Sequence, residues 1–166
     1  MDGYEHRQYG PWHVMFEVMG FGTWGIAAWQ IARGHGGARL VVPLLAVGAI
    51  LLFAAALVGY LEIWDAGDRL SIRFGPLSLM GTSVLYEKIE SVERSYSGPF
   101  YGYGVHGLPG LFIALNIWGM GAVRIRLKER SRFWRVRTVI VGTDEPDRLI
   151  EFLRGKIALV KSPGRD

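Results

Sequence analysis

Two long apolar stretches open the chain, and shorter segments of alternating polarity follow them. Residues 40–61 (LVVPLLAVGAILLFAAALVGYL) hold no charged side chain over 22 positions. At about 1.5 Å per residue, a helix of that length crosses a hydrocarbon core of roughly 30 Å. Residues 12–32 are long enough to do the same, although Glu17 interrupts them. The pattern predicts two transmembrane helices, over about 12–32 and 40–61.

The segment between these stretches is Gly-rich and predicts a reversal of direction. Residues 33–39 read RGHGGAR, which is too short for anything but a turn, so the two helices form a hairpin. Small residues favour packing within this hairpin over oligomerisation. They are Gly20, Gly22 and Gly25 on the first helix, with Gly48, Ala55 and Gly59 on the second. The side chains expected at the membrane interface are Trp12, Tyr60 and Trp64.

After residue 64 the apolar positions alternate with polar ones, which is typical of strands. Residues 69–74 place Leu70, Ile72 and Phe74 on one face, and Gly75-Pro76 ends the segment with turn chemistry. Seven strands are predicted in this way, over residues 69–74, 83–86, 89–96, 101–106, 111–118, 122–128 and 133–141.

The last segment has a helical period. Thr143 or Asp144 can cap the helix, and Pro146 fits only its first turn. An apolar stripe follows over about 14 residues, made of Leu149, Ile150, Leu153 and Ile157. Such a stripe needs a concave apolar surface, which a strongly bent sheet or a partly open barrel offers at one end. We therefore expect an α+β chain with a transmembrane hairpin (1–64), a β domain closed by a helix (65–160) and a short tail (161–166).

The composition is typical of a membrane protein and excludes the chemistry that depends on cysteine. Half of the residues are hydrophobic, the mean hydropathy is +0.20 and there is no cysteine, so disulfides, thiolate metal sites and cysteine nucleophiles are excluded. Residues 1–63 hold three arginines against four acids, whereas residues 64–166 hold sixteen Lys/Arg against eleven acids. The basic excess therefore belongs to the β domain.

The densest basic pattern is AVRIRLKERSRFWRVRTVIV, over residues 122–141. Strand alternation places its cations on one face and Val123, Ile125 and Leu127 on the other. The candidate lipid-binding residues are Arg124, Arg126, Lys128, Arg130, Arg132, Arg135 and Arg137. On a domain tethered beside a bilayer, this face would contact anionic lipid headgroups. The alternative is an ordinary solvated sheet face whose like charges discourage aggregation.

Five segments resemble successive blocks of bacterial membrane proteins with a pleckstrin-homology-like (PH-like) domain. They are LSIRFGPL, YEKIESVE, YGYGVHG, GAVRIRLKE and VGTDEPDRLIEFL, and they cover residues 69 to about 155. The resemblance implies a PH-like seven-strand, partly open barrel with a C-terminal capping helix, on the cytoplasmic side of one or more spans. It also implies a non-enzymatic binding or scaffolding role. His106 departs from the arginine that relatives often carry after the third block.

No enzyme signature accompanies this pattern. Gly102 and Gly104 lack the rest of a dinucleotide fingerprint, and no Walker loop or nucleophile elbow occurs. His13 and Glu17 share a helical face, but two ligands do not make a zinc site, so no metal or cofactor is expected. No nucleic-acid-binding motif is present either.

These observations leave two classes of partner open. One is the bilayer itself, through its anionic lipids, and the other is a protein partner or a second copy of the chain, which would make the domain an assembly subunit of a membrane complex. We expect the chain to lie in the inner membrane with both termini and the β domain in the cytoplasm, although positive charges flank both ends of the hairpin almost equally.

Overall fold

The structure is a computed structural model that describes residues 3–76, 79–96, 104–108, 110–131 and 135–161. It is an α+β fold. Among the described residues, one strand comes first, a packed pair of helices follows it, eight further strands complete two sheets, and a third helix comes last. The helices are α1 (Trp12–Ala32), α2 (Ala38–Leu57) and α3 (Pro146–Lys161). The strands are β1 (Glu5–Tyr9), β2 (Tyr60–Asp65), β3 (Arg69–Phe74), β4 (Met80–Leu85), β5 (Ile89–Tyr96), β6 (Gly104–Leu108), β7 (Phe112–Asn116), β8 (Gly121–Leu127) and β9 (Thr138–Gly142). A 3₁₀ turn, Tyr86–Lys88, joins β4 to β5.

The first sheet, which we call sheet A, has the order β1-β2-β3-β4 and is antiparallel throughout. β1 precedes the helix pair and β2 follows it, yet Tyr9 pairs directly with Tyr60 and Glu5 with Trp64. The helix pair is therefore an insertion between two hydrogen-bonded strands. Neither strand was predicted, and the second apolar segment is helical to Leu57 rather than to residue 61.

The second sheet, sheet B, has the order β5-β8-β9-β7-β6, and its β7–β9 pair is parallel. The predicted strands 69–74 and 89–96 have the observed bounds, and four others overlap β4, β6, β7 and β8. The prediction of 133–141 is wrong at its start, because the strand begins at Thr138. Residues 101–103, 132–134 and 162–166 lie outside the described residues.

One core joins the inner faces of both sheets. Leu61, Ile72 and Phe74 from sheet A meet Ile125 and Val139 from sheet B, all with 2% exposure or less. α3 covers this core with the predicted stripe: Leu149 and Leu153 are fully buried, Ile150 nearly so and Ile157 partly. Thr143 Oγ1 accepts a hydrogen bond of 3.1 Å from the Glu145 amide, which fixes the chain just before the helix begins at Pro146.

α1 and α2 pack through small residues, as predicted for Gly20 and Gly48. A side chain added at Gly20 would meet Leu52 at 2.8 Å, and one at Gly48 would overlap the Trp24 ring. Trp24 Nε1 also donates a hydrogen bond of 3.1 Å to the Leu45 carbonyl across the pair. Gly22 and Gly25 face open space and play no part in this contact.

The remaining surface of the helix pair is exposed and largely apolar. Among the described residues, one helix, Ala38–Leu57, is long and apolar enough to cross a membrane, and only 17% of its most apolar part is buried. α1 is of similar length but carries His13, Glu17 and Gln30. Its outward side chains include Val18 and Phe21, which are 67% and 60% exposed.

Candidate functional site

The basic segment in sheet B keeps the predicted alternation along β8. Val123, Ile125 and Leu127 are buried in the core, with 4% exposure or less. Between them, Arg124 is half-buried and Arg126 is exposed, and Lys128 is exposed just beyond the strand. β8 pairs with β9 so that Arg126 lies opposite Thr138. β8 therefore presents its cations on the outer face, whereas β9 carries no charged residue. The predicted antiparallel pairing of the two strands is confirmed.

The loop between β8 and β9 is longer than the sequence predicts. Leu127 N donates to Arg137 O at 2.8 Å and Ser131 N donates to Val136 O at 2.8 Å, so hydrogen bonds join the described residues on the two sides of 132–134. Arg135 has a φ of 52°, which belongs to a turn rather than to the predicted strand. Val136 is buried, while Arg135 and Arg137 are exposed. These two arginines face outward as expected, although turn geometry and not strand alternation puts them there.

Five exposed cations thus collect where β8 ends. We call them the distal basic surface: Arg126, Lys128, Arg130, Arg135 and Arg137. Three of them line a shallow cavity of about 500 Å³, together with Glu90 and Thr138. Arg132 lies outside the described residues. Arg124 belongs to the middle of the sheet, opposite Glu93, and its guanidinium is 3.4 Å from Ser95 Oγ.

The charges on this surface are largely uncompensated. Among the residues that the structure describes, the four arginines of the distal basic surface form no ion pair with a carboxylate. Lys128 Nζ donates to the Glu87 carbonyl at 2.6 Å, which leaves its charge unpaired. The nearby Glu129 is paired with Lys88 at 3.2 Å. A polyanionic ligand would therefore find a positive field with few competing carboxylates.

The distal basic surface takes its name from its place in the domain. β1 ends at Tyr9 and β2 begins at Tyr60, so the helix pair leaves the β domain at that end, which we call proximal. β8 starts near this end, because Gln8 Nε2 donates at 2.9 Å to the carbonyl of Trp118, in the loop just before β8. Over its 7 residues β8 then advances roughly 20 Å.

The other end of β8 reaches the far side of sheet A. Lys128 N donates at 2.9 Å to the carbonyl of Lys88, in the 3₁₀ turn after β4. Tyr86 N, in the same turn, donates at 3.1 Å to the carbonyl of Asp68, which lies in the β2–β3 turn. The distal basic surface and the helix pair therefore occupy opposite ends of the β domain.

The three predicted interface side chains separate along this axis. Trp12 is the first residue of α1 and lines an apolar cavity of about 350 Å³ between the helix pair and the β domain. Tyr60 is the first residue of β2, with the Arg7 guanidinium 4.5 Å from its ring centre. Trp64 lies four residues further along the strand, about 13 Å away at 3.3 Å per residue. Trp12 and Tyr60 are thus proximal and Trp64 is not.

A second charged cluster lies on the outer face of sheet A, and sequence analysis missed it. Register aligns Arg7, Glu62 and Arg73 across β1, β2 and β3. The Glu62 side chain is only 6% exposed, and its two oxygens accept from Arg7 Nη2 at 2.5 Å and from Arg73 Nε at 2.6 Å. Burial alone would raise the pKa of Glu62, but the two guanidinium groups hold it below its ordinary value of 4.5. The unrecognised strands β1 and β2 hid this alignment.

A third cluster fixes α3 to sheet A. Asp65 accepts from Lys156 Nζ at 2.6 Å, from Tyr86 Oη at 2.7 Å and from Gly67 N at 2.9 Å. Burial works to raise the pKa of Asp65, and these three donors outweigh it and lower the pKa. Burial and the bond to the Asp65 carboxylate raise the pKa of Tyr86. The polar groups of this cluster are hydrogen-bonded to one another, so we interpret the cluster as stabilising the fold.

His13 and Glu17 do not form the pair that their spacing allows. His13 Nδ1 instead lies 2.6 Å from the Gly10 carbonyl, at the start of α1. Within the described part of the chain, no group of three or more His, Asp or Glu side chains is arranged to hold a metal ion.

No protein-family model, curated protein or solved structure matches the chain. The distal basic surface, the two buried carboxylate clusters and the exposed helix pair therefore have to be interpreted on their own physical chemistry.

Proposed function

We propose that the chain is a membrane-anchored, non-enzymatic binding module of the PH-like kind, which presents its distal basic surface to an acidic segment of a protein partner. The helix pair supplies the anchor, the two sheets with α3 supply a rigid support, and the cations supply the contact. We place the module in the inner membrane, with the β domain on the cytoplasmic side.

The surface of the helix pair supports anchoring. Large apolar side chains project from the side of α2 that faces away from α1, where Val42, Ile50 and Phe53 are 54–67% exposed. In water such a continuous apolar surface would be an aggregation hazard, whereas lipid solvates it. α1 packs along α2 through the Gly20 and Gly48 contacts and accompanies it into the bilayer. The proposal therefore keeps the two-span hairpin, with α2 as its more apolar member.

The architecture supports the PH-like assignment in outline. Antiparallel strands in two sheets surround one core, and a C-terminal amphipathic helix packs against that core, as the resemblance implies. Two features differ from the seven-strand barrel that the resemblance implies. β1, which precedes the helix pair in the sequence, belongs to sheet A, and β7 pairs with β9 in parallel. The buried carboxylates Glu62 and Asp65 are paired with side chains of the same domain, which favours a binding role over a catalytic one.

We choose between a lipid and a protein partner from the position of the distal basic surface. It lies roughly 20 Å along β8 from the end where the helices leave. The Debye length at physiological ionic strength is about 8 Å, so cations at that height feel little of the field from their own bilayer. A protein segment rich in Asp and Glu can reach them from the cytoplasm. The geometry therefore favours a protein partner over the anionic lipid contact that the sequence suggested first.

The test uses the full chain in nanodiscs of uncharged phosphatidylcholine and a fluorescent ten-residue oligoglutamate as the probe. We expect binding that weakens as salt is raised, and a loss of about tenfold in affinity for the double variant Arg126→Gln/Arg137→Gln. The matched control, Arg33→Gln/Arg39→Gln, removes the same charge from the turn of the hairpin and leaves binding unchanged. Equal binding by both variants would refute the assignment.

A further inference from the structure

We infer that the proximal end of the β domain is a membrane-contacting rim that rests in the interfacial layer of the bilayer around the base of the helix pair. The inference rests on the proposed anchoring and concerns a surface that the distal basic site does not use. The proximal rim consists of five exposed side chains: Tyr9, Leu79, Tyr96, Trp118 and Met120.

The members of the proximal rim come from four separate places in the sequence and meet at one end of the domain. Tyr9 ends β1, three residues before α1 begins. Leu79 directly precedes Met80, which pairs with Phe74, and Phe74 pairs in turn with Leu61 next to the start of β2. Both strand ends therefore lie beside the point where the helices leave.

The other three members belong to sheet B at the same end. Trp118 and Met120 lie in the β7–β8 loop, which Gln8 holds next to β1 through the Trp118 carbonyl. Tyr96 ends β5 and pairs with Gly121, the first residue of β8. Tyr9, Leu79, Tyr96 and Met120 are 59–70% exposed and Trp118 is 44% exposed, so five large side chains face solvent at this end of the domain.

The rim adjoins an apolar contact between the helix pair and the β domain. The cavity of about 350 Å³ at the base of the helix pair is lined by Trp12, Phe16 and Val58 from the hairpin side and by Phe74 and Ile117 from the β domain. The helices and the β domain therefore meet through apolar side chains at this cavity, and Trp118 of the rim directly follows Ile117, one of its lining residues. On the side away from the helices, Tyr9, Trp118 and Met120 line a second cavity together with the charged Arg7, Arg94 and Asp144.

The chemistry of the rim fits the interfacial layer in particular. Tyr and Trp rings, each with an apolar body and a polar group, are enriched at the level of lipid headgroups. Arg7 lies two residues behind Tyr9 on β1 with its side chain 42% exposed, and Arg94 lies two residues behind Tyr96 with 51%. Both arginines are paired within the domain, Arg7 with Glu62 and Arg94 with Asp147 at 3.0 Å, so they mark the start of the charged surface beyond the aromatic side chains. The order from helix to domain is thus apolar, aromatic and then charged, which follows the bilayer profile from acyl chains to headgroups.

Depth-dependent fluorescence quenching tests the rim directly. The chain has no cysteine, so a single introduced cysteine carries the only fluorescent label. Rim positions are Leu79→Cys, Tyr96→Cys and Met120→Cys. The distal control is Leu111→Cys, which is similarly exposed at 63% and directly precedes β7, about 15 Å along that strand from the proximal β7–β8 loop. A control within the helix pair is Ile50→Cys, exposed at 67%. Each variant is reconstituted at full length in nanodiscs whose lipids carry a spin label either near the headgroup or deep in the acyl chain.

We expect the lipid spin label near the headgroup to lower fluorescence at the three rim positions at least about twofold, and to leave Leu111→Cys unchanged. The deep spin label should quench Ile50→Cys. Quenching at Ile50 without quenching at the rim would overturn the rim while keeping the anchor. No quenching at Ile50 would overturn the anchor itself, and equal quenching at the rim and at Leu111 would mean that the domain lies flat, which also overturns the rim.

Discussion

Glu62 shows how single residues hold sheet A together. Its buried carboxylate compensates two guanidinium groups, and each of these also lies over an aromatic ring, Arg7 over Tyr60 and Arg73 over Trp64. The arginines thus bridge three strands by charge and pack on their neighbours by stacking. Removing the carboxylate leaves two cations side by side.

We expect Glu62→Gln to lower the free energy of unfolding by about 1–3 kcal/mol, because the loss of one partner from a mostly buried ion pair leaves its cations uncompensated. Their partial exposure keeps the effect below that of a fully buried pair. Asp68→Asn is the control, since the Asp68–Arg69 pair is exposed on both sides and its loss should cost less than about 0.5 kcal/mol. Chemical denaturation in detergent micelles measures both, and equal effects would contradict the assignment.

The same residue predicts a pH dependence. Because the pKa of Glu62 is lower in the folded protein than its ordinary value of 4.5, the carboxylate contributes stability above that pH and loses it as the pH falls further. The difference in stability between the native chain and Glu62→Gln should therefore be largest near neutral pH and shrink in acid. A difference that stays constant from pH 7 to pH 3 would show that the charge of Glu62 is unimportant.

Gly48 is the residue on which the contact between α1 and α2 depends most. Any side chain there would overlap the Trp24 ring and come within 2.6 Å of Thr23 Oγ1. We expect Gly48→Val to separate the helices and lower the thermal unfolding temperature in micelles by several degrees. Gly22→Val is the matched control, because nothing lies within 4 Å of that position and its effect should be small. Equal shifts in the two variants would place the helix contact elsewhere.

At the scale of elements, α3 is one of the parts that the sequence predicts well. Its stripe of apolar residues is local, and the cap and the first-turn proline mark its start, so no distant contact is needed to recognise it. β1 and β2 are the opposite case. The segment EHRQY has no apolar alternation, and YLEIWD continues directly from an apolar helix. Each becomes a strand because it pairs with the other across 50 intervening residues, which no local pattern reveals.

The capping role of α3 gives an element-scale prediction. Leu153 is fully buried against the core, whereas Leu159 on the same helix is 59% exposed. Leu153→Ala should lower the free energy of unfolding by about 2–4 kcal/mol, because it removes buried contacts and leaves a cavity. Leu159→Ala should stay within about 0.5 kcal/mol of the native chain. Similar losses for both would mean that the helix is not docked by its apolar stripe.

The candidate site likewise depends partly on local sequence and partly on contacts between distant segments. The alternation of Arg124 and Arg126 with Val123 and Ile125 is local, so the sequence identifies the basic face of β8. Its place at the end opposite the helices depends on the pairing of β1 with β2 and on the link from Lys128 to Lys88. The identity of the cations was therefore predictable, while their distance from the helix pair was not.

At the scale of the whole molecule, the direct pairing of Tyr9 with Tyr60 makes the helix pair removable. Antiparallel partners lie about 4.5–5.5 Å apart, a gap that a two-residue turn spans. We expect a chain with residues 10–59 replaced by Asn-Gly to fold in detergent-free buffer, because sheet A, sheet B and α3 retain their core. Cooperative thermal unfolding and a monomeric sedimentation coefficient are the readouts. A molten, non-cooperative product would show that the helix pair is part of the fold.

The insertion between β1 and β2 also sets an order of events during synthesis. β1 leaves the ribosome first, and 50 residues, including both helices, follow before its partner strand exists. At about 5–20 residues per second, β1 waits a few seconds without a neighbour. On the proposed anchoring, the helices enter the bilayer during that interval, and only then do Tyr9 and Tyr60 come together. Sheet A therefore closes late: its first strand is exposed to proteases and chaperones until the whole hairpin and β2 have been made, which a chain with the short Asn-Gly connection would avoid.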